Sequence, residues 1–195
     1  MLAKLATYLK DRLAITEEQA AEAVSCLKIK SFKKGDILLS PGDLKSDIYF
    51  INRGLLRYYS IDEKGKEHII QFAPEDWMIS DRDTTIFSEP SAFFIDAIED
   101  TEAVIIKKDF FPAIQPIVPD ILKLNILMLH NSIRFMQKRI NMLLSASAEE
   151  RYLDFIKLYP NLTLRVPQWM IASYLGITPE SLSRVRKDLA KKHFR

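Results

Sequence analysis

Two spacings of apolar residues divide this chain. Over residues 2–28 they recur every three or four positions, at Leu2, Leu5, Leu9 and Leu13, then at Ala20, Ala23, Val24 and Leu27. That is the period of helix with one buried face. Thr16-Glu17-Glu18-Gln19 reads as a capping box before the second group, and its two glutamates suit the positive end of a helix. From residue 29 to about 107 the texture changes to short β-rich runs: Ile37–Leu39, Ile48–Ile51, Leu55–Ile61, His68–Phe72, Phe93–Ile98 and Ala103–Ile106. Turn clusters such as Lys33-Lys34-Gly35-Asp36 and Asn52-Arg53-Gly54 separate them and hold four of the chain's five glycines. Short strands with turns about every 8–12 residues predict a β-barrel or roll, not a parallel sheet.

Pro112, Pro116 and Pro119 then break the pattern, and Asp120 to about Ala146 reads as one long helix. Along it Leu122, Ile126, Leu129, Ile133, Met136, Ile140 and Leu143 alternate spacings of four and three. This is a coiled-coil seam, so a homodimer interface is expected; a helix buried on its own domain is the alternative. The additional apolar residues Ile121, Leu124, Leu127, Phe135 and Leu144 are expected to cover the roll. Ala148–Tyr159 predicts a further short helix, ended by Pro160-Asn161.

The stretch from Gln168 to Lys187 carries the most chemistry. A helix from about Pro167 to Leu175 buries Ile171 and Leu175, and Ala172 is small where two helices cross. Gly176 supplies a left-handed turn, Thr178 caps a second helix, and Pro179 sits in its first turn where a missing N–H is harmless. Leu182, Val185 and Leu189 form its inner face. This is the spacing of a helix-turn-helix. Glu180, Ser181, Arg184, Lys187 and Lys191 point outward together, with Ser183 at the edge. Arg184 can give two hydrogen bonds to a guanine edge and Glu180 can accept from cytosine, with Ser181 and Ser183 beside them as base-reading candidates. Thr178, Lys187, Lys191 and Lys192 are candidate phosphate contacts. An i,i+4 pair of Glu180 with Arg184 on an ordinary surface helix is the bland reading.

Charge changes the picture in favour of nucleic acid. The net charge of +2 hides 19 Lys+Arg against 21 Asp+Glu in residues 1–146, and 9 against 5 in residues 147–195. A mildly acidic body with a basic end suits a chain that meets a polyanion at one end only. Hydrophobic residues at 48% provide for a packed core, and no apolar run is long enough to span a membrane. The first residues lack a signal-peptide layout, so a cytoplasmic location without membrane contact is expected. The single cysteine, Cys26, excludes a disulfide framework and a multi-cysteine metal or iron–sulfur site, and is expected as a small core residue of a helix.

On the run Ile171-Ala172 through Gly176 to Glu180-Ser181-Leu182-Ser183-Arg184-Val185, and on the order of its elements, the chain resembles the cyclic-AMP receptor protein (Crp/Fnr) family of bacterial transcription regulators. The resemblance covers nearly the whole chain. It implies an α+β fold: a cyclic-nucleotide-binding-like β-roll with N-terminal helices (1–118), a dimerisation helix (119–146) and a helix-turn-helix domain (147–195). It also implies double-stranded DNA with a pseudo-palindromic operator, a second copy of the chain, and RNA polymerase as partners. Glu180 and Arg184 match the family's base-reading pair, while Pro179 stands where the family often has another Arg. The chain stops at Lys191-Lys192-His193-Phe194-Arg195, too short for the family's β-hairpin wing.

The resemblance implies an effector pocket at Met78, Ile79, Ser80, Asp81, Arg82, Ser91 and Ala92. The family's cassette is Gly-Glu followed about ten residues later by Arg-Ser/Thr-Ala; here Ile79-Ser80 and Pro90-Ser91-Ala92 stand at those positions. Proline cannot pair a phosphate, which argues against cyclic AMP. Arg82 is the nearby substitute. His68 on a strand and His130 on the long helix read as surface or packing histidines, not haem ligands. No cofactor is expected and the sequence names no effector. The roll has only His68 where a metal-dependent enzyme of this shape needs two or three histidines, and no nucleophile elbow or phosphate loop occurs, so catalysis is not expected. A ligand-binding or protein-interaction module without a DNA target is the competing function. Affinity for DNA that falls steeply with salt separates the two.

Overall fold

Thr16 starts a helix as its spacing predicts: its hydroxyl accepts the Gln19 N–H at 3.2 Å and the Gln19 side chain accepts the Thr16 N–H at 3.0 Å. In the computed structural model, which describes residues 2–193, the N-terminal region is two helices, α1 (Ala3–Lys10) and α2 (Glu17–Val24). Eight strands follow: β1 (Lys28–Phe32), β2 (Ile37–Leu39), β3 (Ile48–Arg53), β4 (Leu56–Ile61), β5 (Glu67–Ala73), β6 (Met78–Ile79), β7 (Phe94–Ala97) and β8 (Thr101–Ile106). They form two four-stranded sheets, β1-β8-β3-β6 and β2-β7-β4-β5, with antiparallel pairing at β1–β8, β2–β7, β3–β6, β3–β8 and β4–β7. The helices that follow are α3 (Phe110–Ala113), α4 (Ile121–Ser145), α5 (Ala148–Leu158), α6 (Leu162–Arg165), α7 (Gln168–Leu175) and α8 (Pro179–His193).

The chain divides into two compact units. One comprises the chain up to Ile61 with Ile70–His130; the other comprises Asp62–Ile69 with the chain from Asn131 onward. Two apolar clusters build the first unit. Leu5, Leu9, Ala23, Val24, Phe110, Phe111, Val118, Ile121 and Leu124 pack with Phe50, Val104 and Ile106 of the roll. Phe32, Leu39, Ile51, Leu56, Ile79 and Ile95 fill the second cluster. Gly54 has φ +101°, and a Cβ there would lie 2.4 Å from Thr101 Oγ1 and 2.6 Å from Thr101 Cα, so only glycine fits this turn.

Several expectations need correction. Helix does not reach residue 28: α2 ends at Val24, Leu13 lies between the helices, and Lys28 opens β1. That strand was illegible because Lys28 and Lys30 interrupt its apolar alternation, as suits an edge strand that must resist further pairing. The two-residue β6 and the π-helical turn at Asp83–Phe87 were also missed. Cys26 falls beyond α2 and is exposed rather than a core residue. On α4, Ile121 and Leu124 are buried as expected, but Leu127 and Leu144 are 55% and 82% exposed. At 3.6 residues per turn Leu144 returns to the side of the 4-3 seam, whereas Leu127 lies opposite the seam, about 60° around the helix from the buried Leu124.

Candidate nucleic-acid interface

Within the second unit, Ser147 and Glu150 form a second capping box that starts α5. The Ser147 hydroxyl accepts the Glu150 N–H at 3.3 Å, and the Glu150 carboxylate accepts the Ser147 N–H at 2.8 Å. The amide bond from Ser147, then its hydroxyl, hold the Glu150 carboxyl below its ordinary range. Behind this start, Phe155, Tyr159 and Tyr174 pack in tilted and edge-to-face pairs with ring centroids 5.4–5.8 Å apart. Ile171, Ala172, Leu175 and Leu182 close the core; Val185 and Leu189 are half-buried, less than their spacing predicted.

The turn between α7 and α8 has the predicted chemistry. Gly176 takes φ +65°, and the Gly176 and Ile177 N–H groups return to the Ser173 and Ala172 carbonyls at 3.1 and 3.0 Å. Two more carbonyls of the last turn are capped from outside the helix. Arg139 Nη2 donates to Tyr174 O at 2.8 Å, and Arg151 Nη1 donates to Leu175 O at 2.9 Å. Both guanidinium groups thus sit at the negative end of α7. Arg139 also lies 3.6 Å over the Tyr174 ring and donates to Ile69 O at 3.1 Å. Ser173 of α7 bonds the same segment, its hydroxyl accepting the Ile69 N–H at 3.0 Å and donating to Glu67 O at 2.8 Å. The Asp62 carboxylate stiffens that segment by accepting the Lys64 and Lys66 N–H groups and facing His68 Nε2 at 2.9 Å. Sequence reasoning missed Arg139, Arg151 and Ser173. No local pattern marks them, because their partners are backbone carbonyls and amides distant in the chain.

Thr178 caps α8 through the Ser181 N–H at 3.2 Å. Its hydroxyl and the Glu180 backbone N–H hold the Glu180 carboxyl below its ordinary range, the backbone bond being the larger cause. Helical phase places Glu180, Ser183, Arg184, Lys187 and Lys191 within about a 100° arc opposite the buried Leu182. All five are exposed. Glu180 and Arg184 form no ion pair with each other among the described residues. Ser181 and Lys192 lie off the arc. Ser181 is half-buried and accepts from the Thr178 hydroxyl at 3.3 Å, and Lys192 pairs with Glu149 of α5 at 2.7 and 3.0 Å. The residues on which the expectation of a missing wing rests include Phe194 and Arg195, which lie outside the described residues.

In the first unit the expected effector residues scatter in exposure. Ile79, Asp81 and Ser91 are buried, Met78 and Ser80 half-buried, and Arg82 and Ala92 exposed. Asp81 and Ser91 meet directly, the Ser91 hydroxyl donating to Asp81 Oδ2, while Asp81 Oδ1 accepts the Asp83 N–H at 2.8 Å. On the long helix the seam is open: Ile126, Leu129, Ile133, Met136, Ile140 and Leu143 are 37–57% exposed, and Leu122 is half-buried.

The family described as "Cyclic nucleotide-binding domain" matches residues 29–115. The "Anaerobic regulatory protein" of Haemophilus influenzae is 28% identical over 167 residues, covering 80% of this chain and 64% of that protein. The "Fumarate and nitrate reduction regulatory protein" of Vibrio cholerae is 28% identical over 170 residues, covering 80% and 66%. The chain thus spans slightly under two thirds of the length of these relatives. Among solved structures, FixK2 of Bradyrhizobium japonicum superposes with a TM-score of 0.71 at 20% identity over 86% of each chain. The catabolite activator protein of Thermus thermophilus gives 0.57 at 18% identity over 92% of this chain and 85% of that one. These likenesses establish the fold.

Proposed function

We propose that the chain is a Crp/Fnr-type regulator, a homodimeric, sequence-specific DNA-binding transcription regulator, a reading supported by its match to the cyclic nucleotide-binding domain and its likeness to proteins named as regulators. The observation that carries this reading is the exposed arc of α8, where Glu180, Arg184, Lys187 and Lys191 face solvent on one side of a helix held rigidly from behind. Arg184 and Glu180 read base edges, with Ser183 at the rim and Ser181 acting through the cap. Lys187 and Lys191 set the helix on the phosphates; Thr178 and Lys192 contribute only where their present partners, Ser181 and Glu149, release them.

The second copy enters through α4. Its open seam of Leu122, Ile126, Leu129, Ile133, Met136, Ile140 and Leu143 is apolar, and large apolar side chains gain about 1.5–3 kcal/mol each when fully buried. A coiled coil along this seam sets two α8 helices about one DNA turn apart, about 34 Å, over a pseudo-palindrome. RNA polymerase is the further partner this reading implies. The relatives bear the names of regulatory proteins, so no reaction is assigned.

Selection of bound duplexes from a random pool, followed by fluorescence anisotropy on the selected sequence, tests the proposal. A two-fold repeated motif is expected. Arg184→Ala weakens binding by about 1–3 kcal/mol, roughly 5- to 150-fold, and relaxes one base position, whereas Lys187→Ala lowers affinity for every sequence and reduces the salt slope by about 1. Unchanged operator affinity in Arg184→Ala refutes the base-reading role. A flat salt response refutes DNA binding altogether.

A further inference from the structure

We propose that the cyclic-nucleotide cassette of this chain is closed by its own carboxylate, with Asp81 standing in for the anion of a ligand, so that the roll takes up no cyclic nucleotide. The inference is independent of the DNA-binding reading and rests on the first unit alone. A cyclic nucleotide carries a singly charged phosphate, and a buried site for it needs hydrogen-bond donors and a compensating cation.

The donors are already occupied. The hydroxyl of Ser91, 4% exposed, donates to Asp81 Oδ2, and the Ser91 N–H donates to Asp43 O at 2.9 Å. The Asp83 N–H donates to Asp81 Oδ1 at 2.8 Å, and the Thr85 N–H to Asp81 O at 3.1 Å. Asp81 itself is 1% exposed. Its two carboxylate oxygens offer the same acceptor chemistry as two phosphate oxygens, so the loop is satisfied without a guest. Among the side chains of this loop, Thr85 Oγ1 is the one buried polar atom without a partner among the described residues, and one hydroxyl does not hold a phosphate.

The cation is missing as well. Among the described residues the buried charged side chains are Arg57, Asp81 and Asp96. Arg57 is committed to Asp96 by two parallel bonds of 2.7 and 2.8 Å. Pro90 and Arg82 are exposed. The field of the site is negative: burial, then the carboxylates Asp81 and Asp83, push the Tyr58 phenol well above its ordinary value. A phosphate about 5 Å from the Asp81 charge, at an effective dielectric constant of about 20, loses roughly 300-fold in affinity. The loop is also pinned in its closed form, since the Gly42 N–H bonds Ser91 O at 2.8 Å and the Glu89 N–H bonds Asp83 O at 2.9 Å.

Equilibrium dialysis of the full chain against labelled 3′,5′-cyclic AMP and cyclic GMP tests this, with circular dichroism melts to confirm folding. The wild type is expected to show no saturable uptake up to about 1 mM ligand. Pro90→Arg supplies the guanidinium but keeps Asp81, and is expected to remain non-binding. Asp81→Asn combined with Pro90→Arg removes the internal charge at nearly constant shape and is expected to bind at least about 100-fold more tightly than the wild-type limit. Micromolar binding by the wild type overturns the proposal, as does binding by Pro90→Arg alone. A folded double variant that still fails to bind overturns it too, because something other than this carboxylate then closes the site. If the double variant does not fold, Asp81→Ser with Pro90→Arg takes its place, and its failure to bind when folded overturns the proposal in the same way.

Discussion

Replacing Arg139 with Met removes the charge and donors of one side chain but keeps most of its stem. Arg139 Nη2 bonds Tyr174 O at 2.8 Å and Ile69 O at 3.1 Å, and the guanidinium lies 3.6 Å over the Tyr174 ring. A hydrogen bond to a charged group is worth about 1.5–3 kcal/mol net, and stacking of a cation on an aromatic ring about 0.5–2 kcal/mol. One nitrogen serves both carbonyls and the side chain is half-buried, so these terms do not add in full. The expected loss is about 2–4 kcal/mol. It falls on the turn between α7 and α8, because Tyr174 O is a last-turn carbonyl with no partner further along the helix. Urea unfolding followed by far-ultraviolet circular dichroism measures the loss, and hydrogen exchange at the Gly176 and Ile177 amides locates it. The conservative variant Arg139→Lys should recover only part of what Arg139→Met loses, since an ammonium that bonds the two carbonyls leaves no planar group to lie over the Tyr174 ring. A loss below about 0.5 kcal/mol in Arg139→Met, or full recovery in Arg139→Lys, refutes the capping role.

On the seam, Ile133→Lys with Ile140→Lys places charges in the middle of the exposed apolar stripe of α4, and analytical ultracentrifugation is expected to show monomers with far weaker operator binding. A dimer that survives both substitutions refutes the coiled-coil assignment. The Ser147–Glu150 box supplies a pH test, because the folded state holds Glu150 below its ordinary value of 4.5. The unfolded chain then binds the proton more readily, so this contribution is fully present above the unfolded value and disappears as pH falls through the folded one. By NMR titration, Ser147→Ala, which removes the hydroxyl but keeps the larger amide bond, should move the Glu150 midpoint only part of the way up toward 4.5; an unchanged midpoint shows that the hydroxyl does not help hold the carboxylate.

Elements with a strong local signal were legible from the chain alone. The capping box at Thr16, the left-handed Gly176 and the cap at Thr178 each involve residues a few positions apart, so the backbone geometry they require is written within one turn. The arc of Glu180, Arg184, Lys187 and Lys191 follows from helical period in the same way. Where hydrogen bonds supplied the reason for an element instead of apolar burial, periodicity was silent. Lys28–Phe32 is a strand because β8 pairs it in register, although its own pattern is mostly exposed and polar.

What local order determined about this protein is the succession of helices, roll, long helix and helix-turn-helix, together with the side of α8 that meets solvent. Only the folded chain decided which polar groups find each other. Arg139 and Arg151 reach the end of α7, Ser173 bonds the segment at Ile69, and Asp81 closes on Ser91. Hydrogen bonds act over about 3 Å, and no periodicity along a chain encodes a distance that short between residues ten to a hundred positions apart.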